Sequence, residues 1–139
     1  MKIIVLGVCG KLMAGIACLA AELGHRVVGY DRIYAPTMSD ILDSTDVELC
    51  NGYPDVLDLD DDDVVIVGNQ MRRNDSLIQD LIKRRHRLYS GPEWLLEFVL
   101  RKRFVIAVSG CHGKTTTSAM ITWMLQRSGH DVGYLIGGV

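Results

Sequence analysis

Short apolar runs alternate with segments of helical spacing along the first hundred residues. The opening run KIIVLG, residues 2–7, is apolar, rich in β-branched side chains and closed by glycine, which is typical of a buried parallel strand. The segment KLMAGIACLAAELG, residues 11–24, then spaces its apolar residues as an amphipathic helix does. On the same grounds we predict strands at 25–31, 47–50, 63–69 and 86–90, and helices at 38–44, 75–85 and 92–102.

This alternation of strands and helices predicts an α/β fold. Successive strand–helix–strand units pack by right-handed crossovers, and the sheet that they build is parallel and doubly wound. Residues 1–100 contain enough strands and helices for one complete unit of this kind. We therefore predict a Rossmann-like domain over residues 1–100.

A second unit begins where the first ends, and it is short. We predict a strand at 103–110, a loop and helix at 113–129, and a further strand at 130–138. A single βαβ unit leaves sheet edges and an apolar face uncovered, so residues 103–139 are predicted to be the incomplete start of another domain. Four apolar residues of its helix are predicted core residues: Met120, Trp123, Met124 and Leu125.

The composition and net charge of the chain indicate which kinds of binding partner are not expected. The chain has 139 residues, 48% of them hydrophobic, a formal net charge of −2 and a pI of about 6.0. A nucleic-acid partner is not expected, because such proteins usually carry a strong basic excess. No apolar run reaches the roughly 18 residues of a membrane span, and we expect no membrane partner. The four cysteines are too widely separated for a CxxC pair, which favours a reduced, cytoplasmic setting.

The first candidate binding motif is GVCGKLMAG, residues 7–15, directly after the opening strand. Glycines at this place let the backbone approach a ligand closely, and the following helix directs its free N–H groups at an anion. Asp31 closes the next strand, where a carboxylate can accept hydrogen bonds from a ribose or a base. The spacing differs from the G-x-G-x-x-G dinucleotide fingerprint. Nucleotide-sugar binding and simple helix–sheet packing are both open interpretations of these glycines.

The second motif, GCHGKTTT at residues 110–117, predicts a phosphate-binding loop. In such loops backbone amides surround the phosphates, a lysine neutralises their oxygens, and the next hydroxyl binds Mg²⁺. Lys114 and Thr115 suit these two roles. Val108 stands where the strict motif has glycine, so the loop is a variant, and a plain glycine-rich turn is the alternative. His112 is equally well explained as a phosphate donor or as a surface residue.

The combination of the two motifs resembles the Mur ligases, ATP-dependent amide ligases of peptidoglycan metabolism. That family has a Rossmann-like domain for the UDP-sugar, a P-loop ATPase domain and an amino-acid domain. The resemblance lies in LGVCGKLMAGIA (6–17), VVIVGNQMRRND (64–75), YSGPEWLLEFVLR (89–101), AVSGCHGKTTT (107–117) and YLIGGV (134–139). It implies that residues 103–139 begin the ATPase domain, and that the chain is the front third of a longer ligase, inactive by itself.

Within the family, the chain is most similar to the branch that joins UDP-N-acetylmuramate to the murein tripeptide L-alanyl-γ-D-glutamyl-meso-diaminopimelate during recycling. This resemblance implies that ATP phosphorylates the muramate carboxylate to an acyl phosphate, which the tripeptide amine then attacks. ATP and Mg²⁺ are the implied cofactors. The branch that adds L-alanine to the same sugar nucleotide is the alternative. Alternatives from other classes are an NAD-dependent oxidoreductase domain and a non-catalytic nucleotide-binding module.

The resemblance also implies roles for single residues. Asp31 is expected near the uridine and Asn69 beside the sugar nucleotide, while Lys114 is the expected catalytic residue and Thr115 the metal ligand. Cys111 replaces the usual threonine of the ATP loop, which leaves a side-chain contact at that position open. We further predict a possible dimer through the incomplete second domain. The UDP-sugar loop is expected to consist of Gly7, Cys9, Gly10, Lys11, Leu12 and Met13, and the ATP loop of Gly110, His112, Gly113, Lys114, Thr115 and Thr116.

Overall fold

The computed structural model describes residues 1–32, 42 and 45–137, and its centre is a parallel five-stranded sheet. The strands follow the order β3-β2-β1-β4-β5, and every neighbouring pair is parallel. The predicted Rossmann-like sheet is confirmed. The helix predicted at 38–44 lies, apart from Leu42, outside the described residues. The strands are β1 (Lys2–Leu6), β2 (Arg26–Asp31), β3 (Val47–Asn51), β4 (Val64–Val67) and β5 (Arg87–Ser90).

Helices cover both faces of this sheet. Ser90 and Glu93 form a capping box at the start of α3, where the Ser90 side chain accepts from the Glu93 amide and the Glu93 carboxylate accepts from the Ser90 amide. The helix predicted at 92–102 is helical up to Leu100, and its last five helical residues, Leu96–Leu100, adopt π-helical geometry. The α-helices are α1 (Lys11–Glu22), α2 (Ser76–Lys83), α3 (Gly91–Leu95) and α4 (Lys114–Arg127). Within the described residues, no helix is long and apolar enough to cross a bilayer.

The core consists of two apolar layers separated by the sheet. Ile3 and Val5 of β1 face α1 and α3, whereas Ile4 and Leu6 face α2. All four side chains are at most 1% exposed, because β1 is the central strand and both of its faces are covered. This two-sided burial is the physical reason for the uninterrupted apolar run near the start of the chain. Trp94 of α3 completes the α1 layer and is fully buried.

A buried carboxylate fastens the amino-terminal end of the sheet. Asp63 is 4% exposed, and its two oxygens accept hydrogen bonds from the Lys2 amide at 2.8 Å and the Asp60 amide at 3.0 Å. Burial by itself raises the pKa of Asp63. The two amides and the nearby Lys2 ammonium lower this pKa by more than burial raises it, so the pKa of Asp63 is below its ordinary value. Asp63 thereby fixes β1 to the turn that precedes β4.

The second unit differs from the prediction. Its helix α4 is present, but in the described residues 104–137 neither of the two predicted strands, at 103–110 and 130–138, is formed. A strand needs a neighbouring strand for its backbone hydrogen bonds, and β5 is an edge strand that pairs only with β4 in this sheet. In the described residues the predicted βαβ unit is therefore represented by a loop and a helix.

The predicted core face of α4 is also corrected by the structure. Met120, Trp123 and Met124 are 60%, 59% and 50% exposed, and no residue of α4 is buried. Helical spacing indicates an apolar face, but a face becomes a core only where another element packs on it. One residue of the second unit does reach the first domain, since Leu135 packs against the α1 layer.

Candidate functional site

The candidate site lies at the carboxyl end of the sheet, between the loops that follow β1 and β4. These strands are neighbours, but α1 and α2 lie on opposite faces, so the two loops diverge. In open parallel sheets a divergence of this kind marks the crevice where ligands bind. The Gly68 amide donates to the Leu6 carbonyl at 2.8 Å. A Cβ atom added to Gly68 would lie 2.7 Å from that carbonyl oxygen, closer than real Cβ contacts come. Glycine is required here for the close approach of the two strand ends.

The loop after β1 is shaped by glycine at both of its ends. Gly7 has φ +80°, a left-handed conformation that suits glycine, and its amide donates to the Tyr30 carbonyl at 2.8 Å. Gly10 caps α1 without a side-chain hydrogen bond, and the Ala14 amide makes the first bond back to the Gly10 carbonyl. The amides of Lys11, Leu12 and Met13 therefore have no acceptor within the helix, which is the geometry of an anion site at a helix start.

The buried Asp31 carboxylate holds this loop in place through a hydrogen bond from the loop backbone. Its side chain is 1% exposed, and the carboxylate accepts from the Cys9 amide at 2.9 Å and the Arg32 amide at 2.7 Å. The Asp31 carbonyl accepts from the Gly52 amide at 2.7 Å, which links the loops after β1, β2 and β3. The structure thus assigns Asp31 a positioning role, and its direct contact with a uridine stays a prediction.

The predicted UDP-sugar residues come together at the crevice, although not all present side chains to it. Lys11 and Leu12 are exposed, and Asn69 is exposed on the opposite loop. Met13 is only 8% exposed and packs into the α1 layer. Met13 therefore reaches the crevice through its backbone amide, while its side chain belongs to the core.

The third glycine of the motif has a packing role. A Cβ atom added to Gly15 would lie 2.6 Å from the Leu135 Cδ1 atom, so a hydrogen at this position allows the second unit to rest on α1. This contact joins α1 to the second unit and not to the sheet, so it differs from the helix–sheet packing that was one interpretation of these glycines. Gly7 and Gly10 instead form the loop that faces the crevice.

A neighbouring cleft was not predicted from the sequence. It measures about 450 Å³ and lies between the loops after β3 and β4, beside the crevice. Tyr53 forms part of its wall, and the Arg32 guanidinium lies 5.3 Å from the centre of the tyrosine ring. Arg72 lies on the β4 side of the cleft. An aromatic residue just after a predicted strand, as in NGYPD, is the signal that could have identified it, since parallel strands end at one edge.

The second motif forms an exposed loop at the start of α4. Gly113 is left-handed with φ +73° and lies directly before Lys114, the first helical residue. The Lys114 ammonium is 2.6 Å from the Gly110 carbonyl oxygen and 3.4 Å from that of Cys111, both of which accept its hydrogen bonds. The Thr115 and Thr116 residues are exposed at the first turn. This arrangement fits a phosphate, because a glycine turn leads into open helix amides with one cation folded over the loop.

Comparisons with known proteins show which family this chain resembles. Residues 2–103 match the model of the Mur ligase family, catalytic domain. The UDP-N-acetylmuramate--L-alanyl-gamma-D-glutamyl-meso-2,6-diaminoheptandioate ligase of Escherichia coli (strain K12) is 46% identical over 140 residues, which cover 100% of this chain and 30% of the relative. The ligase of the same name from Haemophilus influenzae is 43% identical over 136 residues, 97% of this chain and 30% of the relative.

A solved structure shows the same similarity in three dimensions. The murein peptide ligase of Psychrobacter arcticus 273-4 superimposes with a TM-score of 0.86 at 43% identity, over 100% of this chain and 29% of that protein. The chain thus spans about 30% of the length of the curated relatives that it matches.

Proposed function

Because this chain belongs to the Mur ligase family, we propose that it carries the sugar-nucleotide site and the ATP loop of a cytoplasmic ligase of peptidoglycan recycling. The proposed reaction joins UDP-N-acetylmuramate to L-alanyl-γ-D-glutamyl-meso-diaminopimelate. The names of the relatives support this choice of substrates. The main structural support is the crevice between Gly7 and Gly68, with the start of α1 on one side and Asn69 on the other.

In this proposal the diphosphate of the sugar nucleotide binds at the start of α1. The amides of Lys11, Leu12 and Met13 donate to its oxygens, and the positive end of the helix dipole favours its charge. The exposed Lys11 ammonium adds a side-chain cation to these amides. Asp31 keeps the Cys9 amide and the rest of the loop in place, and Asn69 donates or accepts hydrogen bonds from the opposite loop.

The ATP phosphates would be held by Gly110, His112, Gly113, Lys114, Thr115 and Thr116. Lys114 would exchange its present carbonyl partners for phosphate oxygens, and the Thr115 hydroxyl would hold Mg²⁺. When bound, ATP supplies the phosphoryl group that activates the muramate carboxylate as an acyl phosphate. Lys114 then offsets negative charge on the transferred group, which is the electrostatic contribution expected of a phosphate-loop lysine.

Calorimetry with UDP-N-acetylmuramate tests the sugar-nucleotide site. We expect saturable binding to the whole chain, and we expect Lys11→Gln to weaken it several-fold and to reduce its dependence on salt. Lys102→Gln is the matched control, since Lys102 is exposed and lies in the turn after the π-helical segment. Absence of binding heat with the wild-type chain, or binding of NADH in a fluorescence titration, would count against the proposal.

The alternative ligase adds L-alanine to the same sugar nucleotide, so sugar binding does not separate the two. The separation requires the amine substrate. Phosphate release by a complete ligase that contains this chain, measured with tripeptide and with L-alanine in parallel, is the direct comparison. Turnover with L-alanine and none with the tripeptide would overturn the recycling assignment.

We also propose that the exposed apolar side chains of the second unit pair with those of another copy of the chain. Phe104 is 94% exposed, Trp123 59% and Tyr134 66%, which is costly for aromatic residues in water. Light scattering is expected to show concentration-dependent association that Trp123→Glu abolishes. A strictly monomeric chain in which residues 104–137 are cut rapidly by protease would contradict pairing.

A further inference from the structure

The Tyr53 hydroxyl is buried at the edge of the crevice and has no hydrogen-bond partner among the described residues. It lies 4.0 Å from the position of a Cβ atom on Gly7, and the same position is 3.7 Å from the Gly68 Cα atom. The hydroxyl is therefore next to the point where the loops after β1 and β4 separate. A buried hydroxyl without a partner destabilises a fold, and such groups in native proteins call for a specific explanation.

The surrounding contacts hold the tyrosine in this position. Tyr53 follows Gly52, whose amide donates to the Asp31 carbonyl at 2.7 Å. The Arg32 guanidinium covers the ring at 5.3 Å, and the Arg32 amide is bonded to the Asp31 carboxylate. Burial raises the pKa of Tyr53, and the Asp31 carboxylate adds to the increase. The phenol is thus protonated at neutral pH and is available as a hydrogen-bond donor.

The same side chain also forms part of the wall of the cleft of about 450 Å³. Arg32, which follows β2, and Arg72, in the loop after β4, both line this cleft. Neither makes an ion pair with a carboxylate of the described residues. Asp55 and Asp75 line the cleft as well and balance the charge of the two arginines. The aromatic wall and the hydroxyl donor at the inner end are therefore the features that suit a nucleotide, which offers a flat base and acceptor oxygens.

We propose that Tyr53 is a substrate-contacting residue of the sugar-nucleotide site. Its ring forms a wall against the nucleotide, and its hydroxyl donates a hydrogen bond to a ribose or phosphate oxygen between Gly7 and Gly68. Arg32 holds the ring in place through its contact with the ring face. This inference rests on the proposed function, because it assigns a residue to the site where the sugar nucleotide is placed.

Two measurements on the variant Tyr53→Phe test the proposal: calorimetry gives its affinity for the sugar nucleotide, and thermal unfolding gives its Tm. The variant keeps the ring and its contact with Arg32 and removes only the hydroxyl. We expect its affinity for UDP-N-acetylmuramate to fall about tenfold, the effect of one hydrogen bond. We expect its Tm to equal or exceed that of the wild type, because no protein partner is lost. Tyr89→Phe is the matched control, because Tyr89 lies on the edge strand β5 and packs against the α1 layer rather than at the crevice, and it should leave the affinity unchanged.

Three results separate the possible outcomes. Equal affinities of the wild type and Tyr53→Phe would overturn the role of Tyr53 and leave the proposed function standing. A Tm below that of the wild type would also overturn it, whatever the affinity, because it would show that the hydroxyl has a structural role within the protein. No binding by the wild type would overturn both proposals. Titrations with uridine, UDP and inorganic phosphate identify the acceptor, because the tenfold loss appears with uridine only if the ribose accepts the bond.

Discussion

Replacing Gly68 with alanine tests whether the crevice depends on the close approach of two strand ends. The added Cβ atom would lie 2.7 Å from the Leu6 carbonyl oxygen, which is a backbone atom and cannot rotate away. Ordinary contacts of this kind begin above 3 Å, so the ends of β1 and β4 must move apart by several tenths of an ångström. The hydrogen bond of 2.8 Å from the Gly68 amide to Leu6 connects the same two ends and would be strained.

The magnitude follows from these two terms. Overpacking of a well-packed site costs about 1–3 kcal/mol, and a weakened backbone hydrogen bond adds about 0.5–1.5 kcal/mol. We therefore expect Gly68→Ala to lower the free energy of unfolding by about 2–4 kcal/mol. Because Gly68 and Gly7 form the crevice, the affinity for the sugar nucleotide should fall as well, even under conditions where the variant is fully folded.

Urea denaturation of the whole chain measures the stability term, and calorimetry measures binding. Gly137→Ala is the control for added volume, since a Cβ atom there meets nothing within 4 Å. Gly24→Ala is the control for backbone strain, because Gly24 has φ +82° and open space around it. We expect no loss for Gly137→Ala and about 1 kcal/mol for Gly24→Ala. A Gly68→Ala variant as stable as the Gly137→Ala variant would refute the steric reasoning.

Three further predictions concern the supports of the site and the sheet. Asp31→Asn should cost about 2 kcal/mol in urea denaturation and weaken sugar-nucleotide binding, because an amide replaces one oxygen that accepts a backbone N–H; equal stability would contradict it. The pKa of Asp63 is lowered on folding, so its stabilisation is present above the unfolded pKa and is lost as the pH falls through the folded pKa. The Tm of Asp63→Asn should accordingly fall less steeply than that of the wild type as the pH is lowered below about pH 4. An equally steep fall of Tm in the variant and the wild type would exclude this role. Gly15→Ala should displace the Leu135 side chain at a small cost in Tm, because the Leu135 Cδ1 atom is the end of a flexible side chain, and Leu135→Ala should remove that cost in the double variant, as thermal unfolding of the four chains would show.

The elements that could be predicted from the sequence depend on neighbours along the chain. The run of β1 is apolar on both faces, and the spacing of α1 and the capping box at Ser90 are local patterns. The Gly7 loop was predictable for the same reason, since a glycine after a buried strand and before a helix marks a tight turn. These features gave the fold class and the position of the crevice.

The predictions that were wrong concern elements that need distant partners. The apolar segment at 103–110 has the composition of a strand, but in the described structure no other strand lies beside it, so its backbone groups remain unpaired within the sheet. The apolar face of α4 is exposed because no element covers it. The composition of a segment shows that it has apolar side chains to bury. Whether they are buried depends on whether another element of the fold packs against them.

The amino-acid sequence by itself determined the parallel α/β architecture, the two glycine loops and the family. Only the tertiary structure decided which side chains meet at the crevice. The fold places the Asp31 carboxylate against the Gly7 loop, packs Leu135 against Gly15 and buries the Tyr53 hydroxyl close to Gly7. The physical reason is that strand order brings together loops that are distant in the chain, and no local pattern encodes that order.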